Sequence, residues 1–259
     1  AIWWLLFFWQ RTKPQDVGLE PFVDPEDQAE RSVKASTAEH VTFAQYFRLI
    51  WNPIIPLMGC CYFCMKFLRY ALDSWLPTFL DLQGLVVGRA AYYSSIFDYA
   101  GLAGTIMAGI ALDRLFHGRW ERVCLVMGVG IVGGYITVLS FGANPIAMAF
   151  CFGLVGFMLY GPDTLLGGAA AVAVAGERNA VAVAGLVNGM GSVGPVIQEQ
   201  VIARFLDGRA PEASIRNANL LCLSMSVAFV LVMVIINWRV AVIRRREASR
   251  GHGITASQS

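Results

Sequence analysis

The polar residues of this chain gather at Gln10–Arg48, Asp113–Arg122, Ala203–Arg216 and Arg239–Arg250, and long apolar stretches lie between them. A helix needs about 20 predominantly apolar residues to cross the hydrocarbon core of a bilayer. Cutting the apolar stretches at that length gives six spans: Pro53–Leu80, Ala90–Leu112, Val123–Phe141, Pro145–Ala175, Ala180–Leu206 and Ile215–Ile243. The connections between them are short, at Asp81–Arg89, Asp113–Arg122, Gly142–Asn144, Gly176–Asn179 and Asp207–Ser214. Only helices and closed barrels satisfy their backbone groups in lipid, and this spacing is helical. The pattern predicts an all-α, polytopic membrane protein.

The segments outside the spans read differently. The run Ile2–Trp9 is apolar but less than half a span long, and no basic residues precede it. It is therefore not a signal peptide. Residues 1–9 read as the end of a spanning helix whose beginning is missing, and the chain as a piece of a longer protein. Residues 10–50 hold Pro14, Pro21, Pro25 and mixed charges. They predict a loop with a short amphipathic helix near Thr42–Ile50. Residues 51–243 form the six-span unit. Residues 244–259 are basic, then small and polar, as in a disordered tail.

Composition narrows the class. The chain is 56% hydrophobic and 15% charged, where soluble domains carry about 25% charged residues. This excludes a water-soluble globular enzyme, a disordered protein and a nucleic-acid-binding domain. The net charge of +2 says little about partners. The distribution of Lys and Arg says more. With six spans, the linker and the tail share one side, which holds fourteen of the 20 basic residues; the other side holds only Arg89, Arg204, Arg209 and Arg216. Cytoplasmic loops carry the excess of basic residues, so the linker and the tail are expected in the cytoplasm. The six cysteines all lie in apolar stretches, and Cys61-x-x-Cys64 reads as packing rather than a redox or metal pair. His40, His117 and His252 fall in polar connections. No metal site and no cofactor are expected.

Small residues mark helix contacts. Ala100, Gly104 and Ala108 recur every fourth position, and Gly185-x-x-x-Gly189 does the same, with Gly191 and Gly194 beyond. Tight packing is expected at both stripes, and a bend at Gly194-Pro195.

Three ionisable groups within spans stand out, Lys66, Arg69 and Asp98. A charge at mid-membrane costs at least ~2.5–3.5 kcal/mol. Lys66 and Arg69 share a helix face, with Asp73 one turn further. Two readings fit the spacing. The pair forms a cationic patch that captures an anion, Arg supplying a planar fork and Lys a point charge. Alternatively, Arg69 pairs with Asp73 or Asp98 and only holds helices together. A second cluster, Gly109-Ile-Ala-Leu-Asp113-Arg114-Leu-Phe-His-Gly118-Arg119, lies at a cytoplasmic turn. There Gly109 would permit close helix contact, and Asp113 would cap or pair with a neighbouring helix end.

Gly109–Arg119 resembles the cytoplasmic loop signature of the major facilitator superfamily, which lies between the second and third helices of a six-helix half. Phe67–Leu80, Phe97–Gly104 and Leu159-Tyr160-Gly161-Pro162 resemble the seventh, eighth and tenth helices of the organophosphate:phosphate antiporters. Arg11-x-x-Pro14-x-x-x-Gly18 is similar to the start of their central loop. That family includes glycerol-3-phosphate and hexose-phosphate transporters and sugar-phosphate exchangers. The resemblance covers about Ala1 to Arg246. It implies the C-terminal half of a secondary transporter in a bacterial inner membrane or a eukaryotic membrane, exchanging an organic phosphate ester for inorganic phosphate. It also implies a missing N-terminal six-helix half as partner, which supplies a second phosphate-binding arginine.

By the same resemblance Arg69 is the phosphate-binding arginine of this half. Lys66 falls where the glycerol-3-phosphate transporter has a site-lining tyrosine, Tyr160 falls on another, and Asp98 on an acidic residue of the eighth helix. Lys66 in place of tyrosine implies a larger or more anionic substrate. Asp73-Ser74-Trp75 shifts the acid by one place from the glycerol-3-phosphate pattern. Two alternatives keep the fold: a symporter of a carboxylate anion, and a membrane sensor of sugar phosphates.

Overall fold

The structure is a computed structural model that describes residue 18 and residues 49–141, 144–207 and 210–256. The expectations for residues 1–9 and for most of 10–50 lie outside the described residues, whereas the tail expected to be disordered is helical as far as it is described, residues 244–256 continuing the last helix. Among the described residues seven helices follow one another: α1 Ile54–Leu82, α2 Val87–Ile110, α3 Trp120–Phe141, α4 Pro145–Gly167, α5 Ala169–Gly191, α6 Val193–Leu206 and α7 Pro211–Ala256. A single π turn, Ala111–Leu115, extends α2. These give six helices long and apolar enough to cross a membrane: Ile54–Leu82, Val87–Leu115, Trp120–Phe141, Pro145–Gly176, Asn179–Leu206 and Pro211–Arg245. The six predicted spans agree with them to within a few residues.

Local chemistry sets the ends. Asn144 caps α4, its Oδ1 accepting from the backbone N–H groups of Ile146 at 3.0 Å and Ala147 at 3.2 Å, and Pro145 needs no partner for a first-turn N–H. Two interruptions divide the fourth and fifth spans. At Gly168 the backbone leaves the helical region between α4 and α5. At Gly176 φ is +71°, a conformation that a side chain would strain.

The Gly194-Pro195 pair, where the sequence predicts a bend, lies inside α6; the division between helices comes earlier, at Ser192, whose own backbone stays in the helical region. α5 ends at Gly191, Ser192 makes the junction, and α6 starts at Val193. Gly194 is occupied differently: a Cβ there would sit 2.6 Å from the carbonyl oxygen of Phe63. It lets α6 approach the backbone of α1.

The most extensive helix contact is α2 on α4. The stripe predicted from Ala100, Gly104 and Ala108 forms it. A Cβ on Gly104 would collide with the carbonyl oxygen of Phe157, and a Cβ on Gly161 would meet the Ala108 methyl at 2.6 Å. From α4, Gly156 admits Phe97 in the same way. The stripe Gly185-x-x-x-Gly189 behaves otherwise, since neither glycine has a heavy atom within 4 Å of a built Cβ. The contact falls to Gly191, packed on Tyr62, and Gly194. Gly109 also faces open space, so the close helix contact expected of it is not made among the described residues.

The core runs through the centre of the bundle. Met65, Leu68, Leu72, Phe97, Phe152, Leu159 and Phe229 are almost fully buried. Outward faces are also apolar, as Tyr99, Ile106, Val129, Val181 and Leu231 show. In water such faces would aggregate; against lipid tails they are at home.

Replacing Gly104 by Ala places a methyl group against the Phe157 carbonyl. Overpacking of this kind costs about 1–3 kcal/mol. Gly109→Ala meets nothing and should be neutral or slightly stabilising, because Ala favours helix over Gly by about 1 kcal/mol. Thermal unfolding in detergent should show a lowered transition for Gly104→Ala and none for Gly109→Ala. Equal transitions would contradict the packing described.

Candidate functional site

Arg69 sits at the middle of α1, one helix that touches α2, α4, α5, α6 and α7. Its guanidinium carbon lies 4.4 Å from the centre of the Tyr160 ring on α4. Arg69 Nη1 donates to Asp163 Oδ2 at 2.5 Å. Arg69 Nε lies 3.6 Å from Asp73 Oδ2, one turn along the same helix. The cation is therefore held by two carboxylates and one aromatic face.

Local sequence places these groups together. Tyr160 and Asp163 are three residues apart and share a face of α4. Pro162 between them removes one helical N–H. The Tyr160 ring lies against Gly101 of α2, where a Cβ would come within 2.6 Å of it. It meets Phe97 edge-on, with ring centres 5.4 Å apart. Tyr160 donates its hydroxyl proton to Asp98 Oδ1 at 2.7 Å. Three of the four predicted site residues, Arg69, Asp98 and Tyr160, thus form one cluster.

Lys66 is one helical turn away, and its partners come from other helices. Its Nζ donates to Asn188 Oδ1 at 2.7 Å and to Ser192 Oγ at 3.0 Å. It also lies 5.2 Å from the centre of the Tyr62 ring. Among the described residues no carboxylate lies within 4.0 Å of it. Farther along α1, Trp75 Nε1 donates to Glu199 Oε2 of α6 at 3.1 Å. Lys66 and Trp75 together tie α1 to α5, to its junction with α6 and to α6 itself.

Of the two pairings that spacing leaves open for Arg69, the one with Asp73 is made, at 3.6 Å, and the one with Asp98 is not. Asp98 does not pair with Arg69; it accepts from Tyr160. The dominant partner is Asp163, which escaped the count of ionisable groups in spans, as did Glu199. Asp163 carries a legible signal: an acid three residues from a site tyrosine, inside an apolar stretch. Asn188 and Ser192 carry none, because uncharged polar residues are ordinary at contacts between spanning helices.

The loop cluster Gly109, Asp113, Arg114, Gly118 and Arg119 lies apart from this site, at the turn between α2 and α3. Asp113, Arg114, Gly118 and Arg119 are exposed. No ion pair joins Asp113 to another described residue, so the expected cap or helix-end pairing is not made there. A strong ion pair lies just beyond that turn. Glu121 of α3 is 3% exposed and accepts from Arg244 of α7 at 2.7 Å and 3.4 Å. Cys61 and Cys64 are free and buried among the core residues of α1. Among the described residues no group of three or more metal-ligating side chains comes together.

Residues 1–198 match the sequence profile of the Major Facilitator Superfamily. The chain is 30% identical over 168 residues to the membrane sensor protein UhpC of Salmonella typhimurium, covering 62% of this chain and 37% of that protein. It is 27% identical over 209 residues to the glycerol-3-phosphate transporter of Bacillus subtilis, covering 77% and 46%. It is 26% identical over 188 residues to sugar phosphate exchanger 3 of Gallus gallus, covering 69% and 37%. The chain thus spans less than half the length of each of these relatives.

The ion pair is structural whatever else it does. Arg69→Ala leaves Asp163 buried and uncompensated, which costs about 3–5 kcal/mol. Adding Asp163→Asn removes the stranded charge. In detergent unfolding the double variant should recover most of the lost stability. Additive losses in the double variant would show that the two groups do not interact.

Proposed function

The chain belongs to the Major Facilitator Superfamily, and we propose that it supplies the C-terminal six-helix half of a secondary transporter that exchanges an organic phosphate ester for inorganic phosphate. It is a multi-pass integral membrane protein whose relatives lie among the organophosphate:phosphate antiporters. An N-terminal six-helix half would complete the transporter, with residues 10–50 as the cytoplasmic loop between the halves. Lys66, Arg69, Asp98 and Tyr160 are the substrate residues of this half, and Gly109–Arg119 is its cytoplasmic loop motif.

Lys66 carries the reading. An ammonium in mid-span with only neutral acceptors leaves an unbalanced charge in a region where charge is costly. An anion entering beside it supplies the missing balance. Arg69 is one turn away with a planar fork suited to phosphate oxygens. Phosphate drawn to both would sit near the middle of α1, where the site of a rocking two-half transporter belongs. No cofactor and no covalent step are needed.

The similarity to a protein named as a membrane sensor favours one further reading, in which the same pocket binds a sugar phosphate without carrying it. Exchange across a membrane separates the two. Proteoliposomes holding the intact protein should take up labelled inorganic phosphate faster when glycerol-3-phosphate is inside. A sensor binds phosphate ester without that acceleration.

In the carrier, Arg69→Lys should weaken phosphate binding by roughly tenfold to a hundredfold, the loss of one charge-assisted bond. Lys66→Tyr should be milder, because a hydroxyl donor remains, and should shift preference toward smaller esters. Unchanged phosphate affinity in a well-folded Arg69→Lys protein would overturn the assignment.

A further inference from the structure

A cavity of about 650 Å³ opens where the end of α1, the end of α3 and the start of α7 meet. It lies away from the anion site, since Leu82 on its wall is about 20 Å beyond Arg69 along α1. No polar partner of Arg69 or Lys66 comes from α3 or α7. We propose that this cavity seats the headgroup of one membrane phospholipid that carries a primary ammonium beside its phosphate. Nothing in this site depends on the anion-binding reading of Arg69.

The polar wall is mostly α7. Glu212 and Arg216 are one helical turn apart, exposed, and line the cavity together. Neither makes an ion pair with a described residue. Asn219 lines the same cavity and is only 3% exposed. Among the described residues its side-chain amide has no hydrogen-bond partner. A buried amide of this kind is costly unless something enters to pair with it. Ser140 of α3 adds a hydroxyl, and Leu82, Val138 and Ile215 supply apolar wall. The volume is that of a small-molecule site.

The charges select the occupant. A cation and an anion side by side fit a zwitterion. The Arg216 fork takes phosphate oxygens. The Asn219 amide donates to the same phosphate, and the Glu212 carboxylate accepts from the ammonium. The two-carbon link of an ethanolamine headgroup suits two groups one helical turn apart. An anionic headgroup without the ammonium would set a second negative charge beside Glu212. A quaternary ammonium has no N–H to donate, and no aromatic ring is among the described residues that line the cavity.

Position selects a lipid over a dissolved zwitterion. α3 and α7 are long enough to span, so their ends lie at the depth of the headgroups. One turn deeper on the same faces, Ile136 of α3 and Leu220 of α7 are exposed, and Val129 and Val227 continue the two strips. Gly133 between Ile136 and Val129 has no heavy atom within 4 Å of a built Cβ. Acyl chains therefore have an open apolar path below the headgroup.

The test is native mass spectrometry of the intact protein, stripped of lipid in detergent. It is then offered equal amounts of phosphatidylethanolamine, phosphatidylcholine and phosphatidylglycerol with the same acyl chains. Wild type should retain one phosphatidylethanolamine with about tenfold preference over the other two, the worth of one charge-assisted contact. Glu212→Gln should bring phosphatidylglycerol level with phosphatidylethanolamine. Arg216→Gln and Asn219→Leu should weaken retention of all three lipids. Glu212 and Arg216 are exposed, so their variants keep the fold and carry the test even where Asn219→Leu does not. Equal retention of the three lipids by wild type overturns the proposal. So does a preference that Glu212→Gln and Arg216→Gln leave unchanged, which places the lipid elsewhere. Soluble phosphoethanolamine that binds wild type as tightly as the lipid makes the occupant a dissolved zwitterion and overturns the lipid assignment.

Discussion

A guanidinium in the middle of a membrane helix has to be balanced, and here the balance falls on a carboxylate from another helix. The contact of Arg69 with Asp163 ties α1 to α4 at the depth where neither charge could stand alone. Around it Tyr160 covers one face of the cation and joins Asp98 of α2. Three helices are thus brought into register at one point. The apolar packing of α2 on α4 then closes over that point, with Gly101 making room for the Tyr160 ring and Gly104 admitting the Phe157 backbone. In lipid, packing of this sort and internal polar contacts hold helices together, because burial from water contributes little.

The second polar junction is of another kind. Lys66 has neutral acceptors at Asn188 and Ser192, at the break between α5 and α6. Neutral partners satisfy its protons without cancelling its charge. Along one helix face, Arg69 is compensated and Lys66 is not. That asymmetry is what the proposed anion site rests on, with a structural clasp at the Arg69 end. It also joins the two readings that spacing alone leaves open. Under the proposed function Arg69 serves both, since the Asp163 carboxylate and a phosphate would compete for the same guanidinium donors.

Much of this was legible in the sequence. The spans follow from hydropathy because each crosses the same thickness of lipid. The α2 stripe of small residues follows because a backbone contact needs small residues every fourth position. Arg69 and Asp98 were legible as charges in spans, and Tyr160 only through the resemblance to a family. Which acid meets Arg69 was not, since Asp73, Asp98 and Asp163 all lie within reach of some helix arrangement, and the rotation of α4 chooses among them. The same limit explains the glycines of α5 and α6. Gly185 and Gly189 have the spacing of a contact face, but the face turned to α1 carries Gly191 and Gly194. Periodicity identifies a face; only the neighbour decides whether it is used.

The account turns on whether a phosphate ester and Asp163 hold Arg69 in alternation. A structure of the intact protein with glycerol-3-phosphate bound measures this directly. The account predicts a phosphate oxygen on the Arg69 guanidinium, with the Asp163 carboxyl moved out of hydrogen-bond distance and Lys66 turned toward the ester. A bound ester with the Arg69–Asp163 contact intact, and no phosphate oxygen on either cation, would contradict it.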